Sequence, residues 1–286
     1  TVIAGTHTNI IRIEKDGQCI STGDGAEENG AAGGGAELSL KEIDDFVRSV
    51  SSEKLNFLRE CIDMNSAISQ EGLEHPYGLG IGQSIYETLP ENNSEENYAL
   101  AVTCAAADAR MGGCTLPVMS SCGSGNQGLT ATLPVIAVAR KRGLSEEDTF
   151  RALAYSLLVT IHVKQHLGKL SALCACSVGA SIGTACALTY LDGGTLQQIG
   201  HCVDNVVADV SGVICDGAKA GCALKIATGV SSAFRGAMLA MKNRNASALD
   251  GIVGHDPEAS VDNLGNLCNT GMLDTDRVIL DMLVCK

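Results

Sequence analysis

Apolar positions three and four residues apart recur along most of this chain, the spacing that lines one face of an α-helix. Ile43, Phe46, Val47 and Val50 repeat in this way directly behind Ser39-x-x-Glu42, a capping box that starts a helix by satisfying its first backbone N–H groups. A second run is expected over residues 55–68, ending near Gly72, with Pro76 and Gly78 punctuating the connection that follows. Residues 95–110 predict an alanine-rich helix closed by Gly112-Gly113. Ser145-Glu146-Glu147-Asp148 opens an amphipathic helix with Phe150, Leu153, Ala154, Leu157, Leu158 and Ile161 on one face. The uncharged run 170–191 predicts a buried central helix, in which Gly179-x3-Gly183 admits a neighbouring backbone. Thr195-x-x-Gln198 caps the next, through about Asp209, and further helices are expected over 228–241, 260–268 and 275–283.

Strand-like alternation is confined to the start. Val2-Ile3-Ala4 and Asn9-Ile10-Ile11-Arg12-Ile13, separated by turn-prone residues, predict two short strands. A lone hairpin is marginal in water, so these strands are expected to complete a sheet with residues outside this sequence or with a partner. Residues 22–36 are mostly Gly, Ala and acid, with Gly33-Gly34-Gly35 near the end, and read as a Gly-rich linker or mobile loop. The expected fold is therefore mainly α, or α+β overall: a small N-terminal β element over 1–21, the linker over 22–36, and a multi-helix cluster-binding domain over 37–286.

Composition narrows the function. Aromatic residues are 3% and Trp is absent while Gly numbers 33, so helices should pack closely through small side chains. With 33 acidic against 20 basic residues the net charge is −13, which repels phosphate backbones and anionic lipid, so neither nucleic acid nor membrane is expected as a partner. Residues 170–191 are long enough to span a bilayer, but Ser171, Ser177, Ser181, Thr184 and Thr189 make a buried helix the better account. Thirteen cysteines in a large chain, an odd count, fit free thiols in a reduced cytoplasm better than a disulfide framework. Cys61, Cys104, Cys186, Cys202 and Cys268 read as inert core.

The chemistry gathers at Cys215-Asp216-Gly217-Ala218-Lys219-Ala220-Gly221-Cys222, with Cys174-Ala175-Cys176 about forty residues upstream. Thiolates are soft ligands suited to zinc or iron-sulfur clusters, and the spacing lacks the Cys-x2-Cys pairs of zinc knuckles. A second candidate is Ser121-Cys122-Gly123-Ser124-Gly125-Asn126-Gln127-Gly128, polar and Gly-spaced ahead of the apolar run 129–138. Its N–H groups would stand at a helix N-terminus, a geometry that binds anions such as a substrate carboxylate. Lys219 lies between the two thiols of its segment and is placed to offset the negative charge of a thiolate-bound cluster or pair with a substrate carboxylate. A pyridoxal-phosphate lysine, Lys219 or Lys225, is another route to elimination chemistry that the cysteines disfavour. His162 and His166 are four residues apart without the intervening Glu of a zinc protease, and are read as helix-face residues.

The 121–128 and 214–225 segments, with Thr6-His7-Thr8-Asn9 and Asp250-Gly251-Ile252-Val253, resemble the L-cysteine desulfidase family, relatives of the alpha chain of iron-sulfur L-serine dehydratases. The resemblance implies a [4Fe-4S] cluster on Cys176, Cys215 and Cys222, with Cys176 chosen over Cys174 because Ser-Val follows it where the dehydratases have Ser-Met. It implies a lyase that eliminates sulfide from L-cysteine, leaving pyruvate and ammonia, with one iron open to the leaving group. L-serine dehydratase is the alternative, and a non-catalytic zinc or iron-sulfur protein with a fourth thiolate the second. Ser121, Cys122, Gly123, Ser124, Gly125, Asn126 and Gln127, with His7, Thr8 and Asn9, are implied to bind the small L-amino acid, and Lys219 to serve catalysis. The family's Cys-Thr-Glu-Pro element is missing from these residues. A homo-oligomer, or completion by a further N-terminal segment or subunit, is therefore expected, with weak turnover by this chain alone.

Overall fold

The computed structural model describes residues 2–3, 10–22, 38–168 and 171–284. Two compact units comprise residues 1–37 and 38–286. In the first, β1 (Val2–Ile3), β2 (Ile10–Lys15) and β3 (Gln18–Thr22) form an antiparallel sheet in the order β1-β2-β3. The third strand was not predicted, although its signal was present. Asp16 and Gly17 take φ of 52° and 79° between the paired residues Lys15 and Gln18. Asp-Gly tolerates the two successive left-handed residues of a type I′ turn, whose twist matches that of paired strands. His7, Thr8 and Asn9, and residues 23–36 of the expected linker, lie outside the described residues.

Among its described residues the second unit carries helices and no named strand, so the fold is mainly α. Its helices are α1 (Leu40–Ser49), α2 (Leu58–Glu74), α3 (Ile81–Glu87), α4 (Glu95–Met111), α5 (Gly125–Arg142) and α6 (Glu146–Leu167). They continue with α7 (Gly179–Leu191), α8 (Leu196–Val210), α9 (Cys222–Met241), α10 (Pro257–Asn266) and α11 (Thr275–Val284). Both expected capping boxes form, at Ser39/Glu42 and at Thr195/Gln198. Helix α7 runs through the middle of the unit, buried from Gly179 to Thr189. A Cβ on Gly183 would stand 2.3 Å from the Ser156 carbonyl oxygen of α6, so the two backbones approach as the Gly-x3-Gly spacing predicted. Small residues do the same elsewhere: a Cβ on Gly72 of α2 would meet the Ala105 carbonyl oxygen of α4 at 2.0 Å. None of the described helices is long and apolar enough to cross a membrane.

Four helix boundaries depart from expectation. Helix α7 starts at Gly179 rather than 170, because residues 172–174 spend their backbone groups on another segment. Leu173 bridges Ile214, Cys174 N donates to the Val213 carbonyl at 2.8 Å, and Cys215 N donates to the Ala172 carbonyl at 2.7 Å. Helix α9 begins at Cys222, six residues before the predicted start at 228. Helix α10 begins at Pro257, where Asp256 caps the N–H of Ala259 at 2.8 Å, and gives way at residue 267 to a π-turn, Leu267–Gly271. The short α3 carries too few residues to show a period and was missed.

His162 and His166 do not form a metal pair. His162, 2% exposed, pairs with Glu258 at 2.7 Å, and His166 with Asp262 at 3.1 Å, both across to α10.

Candidate metal centre

Three segments converge on the predicted cysteines. The first is the tight turn at 121–124, where Ser121 N and Ser124 N each donate to the other residue's carbonyl at 3.1 and 2.9 Å. Cys122 and Gly123 at its tip have φ of 49° and 79°. A left-handed cysteine is a strained conformation of the kind that clusters at functional sites. Ser124 then caps α5: its hydroxyl accepts from Gln127 N at 3.3 Å and lies 3.4 Å from the Cys176 sulfur.

The second segment is the turn 172–178, bridged to the third, 211–221, by the backbone pairs just described. A further tie runs from the Ser177 hydroxyl, which donates to the Lys225 carbonyl of α9 at 2.6 Å. A Cβ on Gly229, one turn along, would stand 2.4 Å from the Ser177 carbonyl oxygen. Cys176 is thus pressed against the start of α9, whose first residue is Cys222. The Cys222 sulfur accepts from the Lys219 backbone N–H at 3.4 Å.

Electrostatics follow from this packing. The Cys176 thiol is pulled below its ordinary value, first by a hydrogen bond from the Cys174 thiol and further by Ser124, while burial and the nearby sulfurs of Cys222 and Cys215 push the other way. Cys174 is raised in return, because it supplies the proton of that bond, and burial adds to the effect. The helix expected over 170–191 would have pointed Cys174 and Cys176 to different faces. In the turn that replaces it, Cys174 is 7% exposed, and the two thiols shift each other in opposite directions, Cys174 up and Cys176 down.

Lys219 stands otherwise than expected. Its ammonium is committed to Asp216 at 2.5 Å, and Lys225 pairs with the same carboxylate. Asp216 is held down to about 2, by the Lys219 hydrogen bond first and the Lys225 one next. What Lys219 offers the thiols is its backbone N–H. In the 121–128 segment Ser121, Asn126 and Gln127 are buried, at 4%, 4% and 0% exposure, while Cys122 and Gly123 are exposed. The Asn126 side-chain oxygen accepts from Arg110 at 3.1 Å, and neither polar atom of the Gln127 side chain has a hydrogen-bond partner among the described residues.

Two basic residues were missed by sequence reasoning. Arg110, in the last turn of α4, lies against Gly125, whose added Cβ would meet its Nε at 2.4 Å. Lys164 of α6 lies in the electrostatic field of four thiols: Cys122, Cys176, Cys268 and Cys215. Its signal was legible, since it falls seven residues after Leu157 and three after Ile161, on the stripe predicted to be apolar.

Among the described residues no three His, Cys, Asp or Glu side chains converge tightly enough for one metal ion. A cuboidal cluster asks for a different arrangement, with each thiolate on its own iron. Soft donors on three sides, one of them acidified, suit that group. Every described cysteine of the helical unit is a free thiol, and Cys61, Cys104, Cys186, Cys202 and Cys268 are buried.

Residues 25–281 match the family described as serine dehydratase alpha chain. The chain belongs to that family. It is 42% identical over 99% of its length to a UPF0597 protein of Clostridium tetani, of which it spans 67%. It is 41% identical over its whole length to a UPF0597 protein of Aeromonas hydrophila, of which it spans 66%, and 39% identical to one of Bacteroides thetaiotaomicron, of which it spans 67%. The chain thus spans about two thirds of the length of these relatives.

Proposed function

We propose that the chain forms the cluster-bearing part of a lyase that eliminates the β-substituent of a small L-amino acid, with L-cysteine as substrate. Membership of the serine dehydratase alpha chain family supports lyase chemistry. The observation that carries the reading is the meeting of the Cys176 turn, the Cys215–Cys222 segment and the Ser124-capped start of α5. In this reading Cys176, Cys215 and Cys222 hold a [4Fe-4S] cluster. When bound there, the cluster supplies Lewis acidity that favours departure of the β-substituent.

The chain's own residues do the rest. Exposed N–H groups at the Cys122-Gly123 tip and the positive end of α5 attract the substrate carboxylate. Backbone donation from Lys219 to Cys222, and the Cys174 and Ser124 contacts to Cys176, favour thiolate over thiol. The resemblance also implies substrate binding by His7, Thr8 and Asn9, which lie outside the described residues. The balance of the reaction is simple. A base takes the Cα proton, the Cβ–S bond breaks with its electron pair passing to sulfur, and the enamine released tautomerises and is hydrolysed to pyruvate and ammonia. No oxidant or reductant is consumed.

Serine dehydratase is the second reading, favoured by the description of the matching family. Anaerobically reconstituted protein, assayed for sulfide and pyruvate on L-cysteine and for pyruvate on L-serine, decides between them. Faster sulfide release supports the desulfidase, and dominant serine turnover assigns the dehydratase. Turnover of neither by cluster-loaded protein, with the remaining part of a longer relative supplied, refutes the lyase.

A further inference from the structure

Helix α5 ends in three consecutive cations, Arg140, Lys141 and Arg142. The helix dipole favours positive charge at a C-terminus, which accounts for the residue types but not for how they are partnered. Arg142 pairs with two carboxylates, Glu95 and Asp192, each at 2.7 Å. Lys141 donates to the Asn93 carbonyl at 2.7 Å and to the Asn93 side-chain oxygen, and so ties the connection between α3 and α4 to the end of α5. Arg140 is exposed, and among the described residues its guanidinium bonds only the uncharged Ser66 hydroxyl of α2, at 2.8 Å. A guanidinium carries five N–H donors in a planar fork, so most of this one is uncommitted.

Arg140 and Lys141 edge a cavity of about 550 Å³, inside the range of roughly 300–1,000 Å³ that small-molecule sites occupy. Its other walls include the rings of Tyr86 and Tyr98, with Leu89 and Pro90. The Lys141 ammonium stands 5.9 Å from the centre of the Tyr98 ring, a cation–π contact that holds positive charge against that wall. Tyr86, Tyr98 and Arg140 also line a narrower cavity of about 60 Å³ that reaches Ser66 and Ser69 of α2. No acidic side chain lines either cavity, in a chain whose net charge is −13. The place is apart from the candidate metal centre, since Ser124 caps the opposite end of α5, about 24 Å away at 1.5 Å per residue. Flat apolar walls suit a planar ring, and an uncommitted guanidinium with an ammonium beside it suits an anion. We propose that this cavity is a second binding site, for a small anion joined to a planar ring. The anion, carboxylate or phosphate, bonds the Arg140 fork in the field of Lys141, and the ring lies between Tyr86 and Tyr98. The assignment goes beyond the lyase reading and does not depend on it.

The test is calorimetric titration of the purified protein with phenylacetate and phenyl phosphate, two ring-bearing anions. Acetate and inorganic phosphate, which lack the ring, and benzyl alcohol, which lacks the anion, are the comparisons. At least one ring-bearing anion should bind about 10-fold tighter than its ringless counterpart and than benzyl alcohol, and the better of the two assigns carboxylate or phosphate. Arg140→Gln should weaken that ligand about 10-fold, the lower end for a hydrogen bond to a charged group because the cavity is open to solvent. Arg140→Lys should keep part of the affinity, having the charge without the fork. Tyr98→Leu should weaken it about 5-fold by removing the stacking face. The melting temperature of Arg140→Gln should stay close to that of the wild type, since the side chain is exposed. Benzyl alcohol or the ringless anions binding as tightly as the ring-bearing ones overturns the assignment. Affinity unchanged in both Arg140→Gln and Tyr98→Leu places the ligand elsewhere and overturns it as well. So does wild-type protein that binds neither ring-bearing anion at millimolar concentration.

Discussion

Replacing Gly229 by alanine tests whether the start of α9 positions Cys176. The added Cβ would lie 2.4 Å from the Ser177 carbonyl oxygen and 3.0 Å from the Ser177 Cα and Oγ. A comfortable contact needs a shift of roughly 1 Å, and the atom in the way is backbone. Overpacking of this kind costs about 1–3 kcal/mol, while alanine in place of glycine inside a helix returns about 1 kcal/mol. The net loss of stability is therefore about 0–2 kcal/mol. In a unit of this size that lowers the melting temperature by at most about 8 °C. The local effect should be larger than the global one, because the shift falls on the turn holding Cys176 and breaks the Ser177 hydroxyl's contact with the Lys225 carbonyl. The assay pairs thermal unfolding with visible cluster absorbance after anaerobic reconstitution. Gly212→Ala is the control, since nothing lies within 4 Å of its added Cβ. Gly229→Ala should remain folded yet take up less than half the cluster of the wild type. Full uptake with an unchanged melting temperature would refute the reasoning.

Single serine substitutions of Cys176, Cys215 and Cys222 should each abolish cluster absorbance, whereas Cys174→Ser, which keeps a hydroxyl donor to Cys176, should retain it; loss only in Cys174→Ser would reverse the ligand assignment. Gly183→Ala drives a Cβ into the Ser156 carbonyl and the Thr160 hydroxyl, each 2.3 Å away, and should destabilise the whole helical unit by about 1–3 kcal/mol in urea unfolding. Glu95 is gripped by Arg142 at 2.7 Å, and this pair holds its carboxyl below the ordinary range. A depressed carboxyl stabilises the fold above its unfolded value of about 4.3 and loses that contribution as pH falls through the folded value. Glu95→Gln should thus cost about 0.5 kcal/mol at neutral pH, a small figure because the pair is partly exposed, and flatten the acid limb of melting temperature against pH. An unaltered acid limb would show that the pair does not contribute.

Much of the helical unit was written in local pattern. Capping at Ser39, Ser145 and Thr195, the alanine-rich α4 and the amphipathic α6 are short-range features, set by side chains that satisfy nearby N–H groups or share a helix face. The close approach at Gly183 was legible for the same reason, as small residues one turn apart mark a groove. The Asp16-Gly17 turn was equally local and was passed over.

What the sequence by itself determined is the donor chemistry: which thiols exist, that Cys174 and Cys176 lie in an uncharged run, and that a polar Gly-spaced segment precedes an apolar helix. Tertiary structure decided their use. Residues 172–178 have the composition of a helix, yet their backbone pairs with 213–215, a partner some forty residues away that no local window contains. That pairing makes a turn of the segment, in which Cys176 is lowered and Cys174 raised. In the same way only the fold carries Glu258 of α10 to His162 of α6, 96 residues away in sequence. Charge interactions depend on distance through space, and along a single chain that distance is unknown until the helices pack.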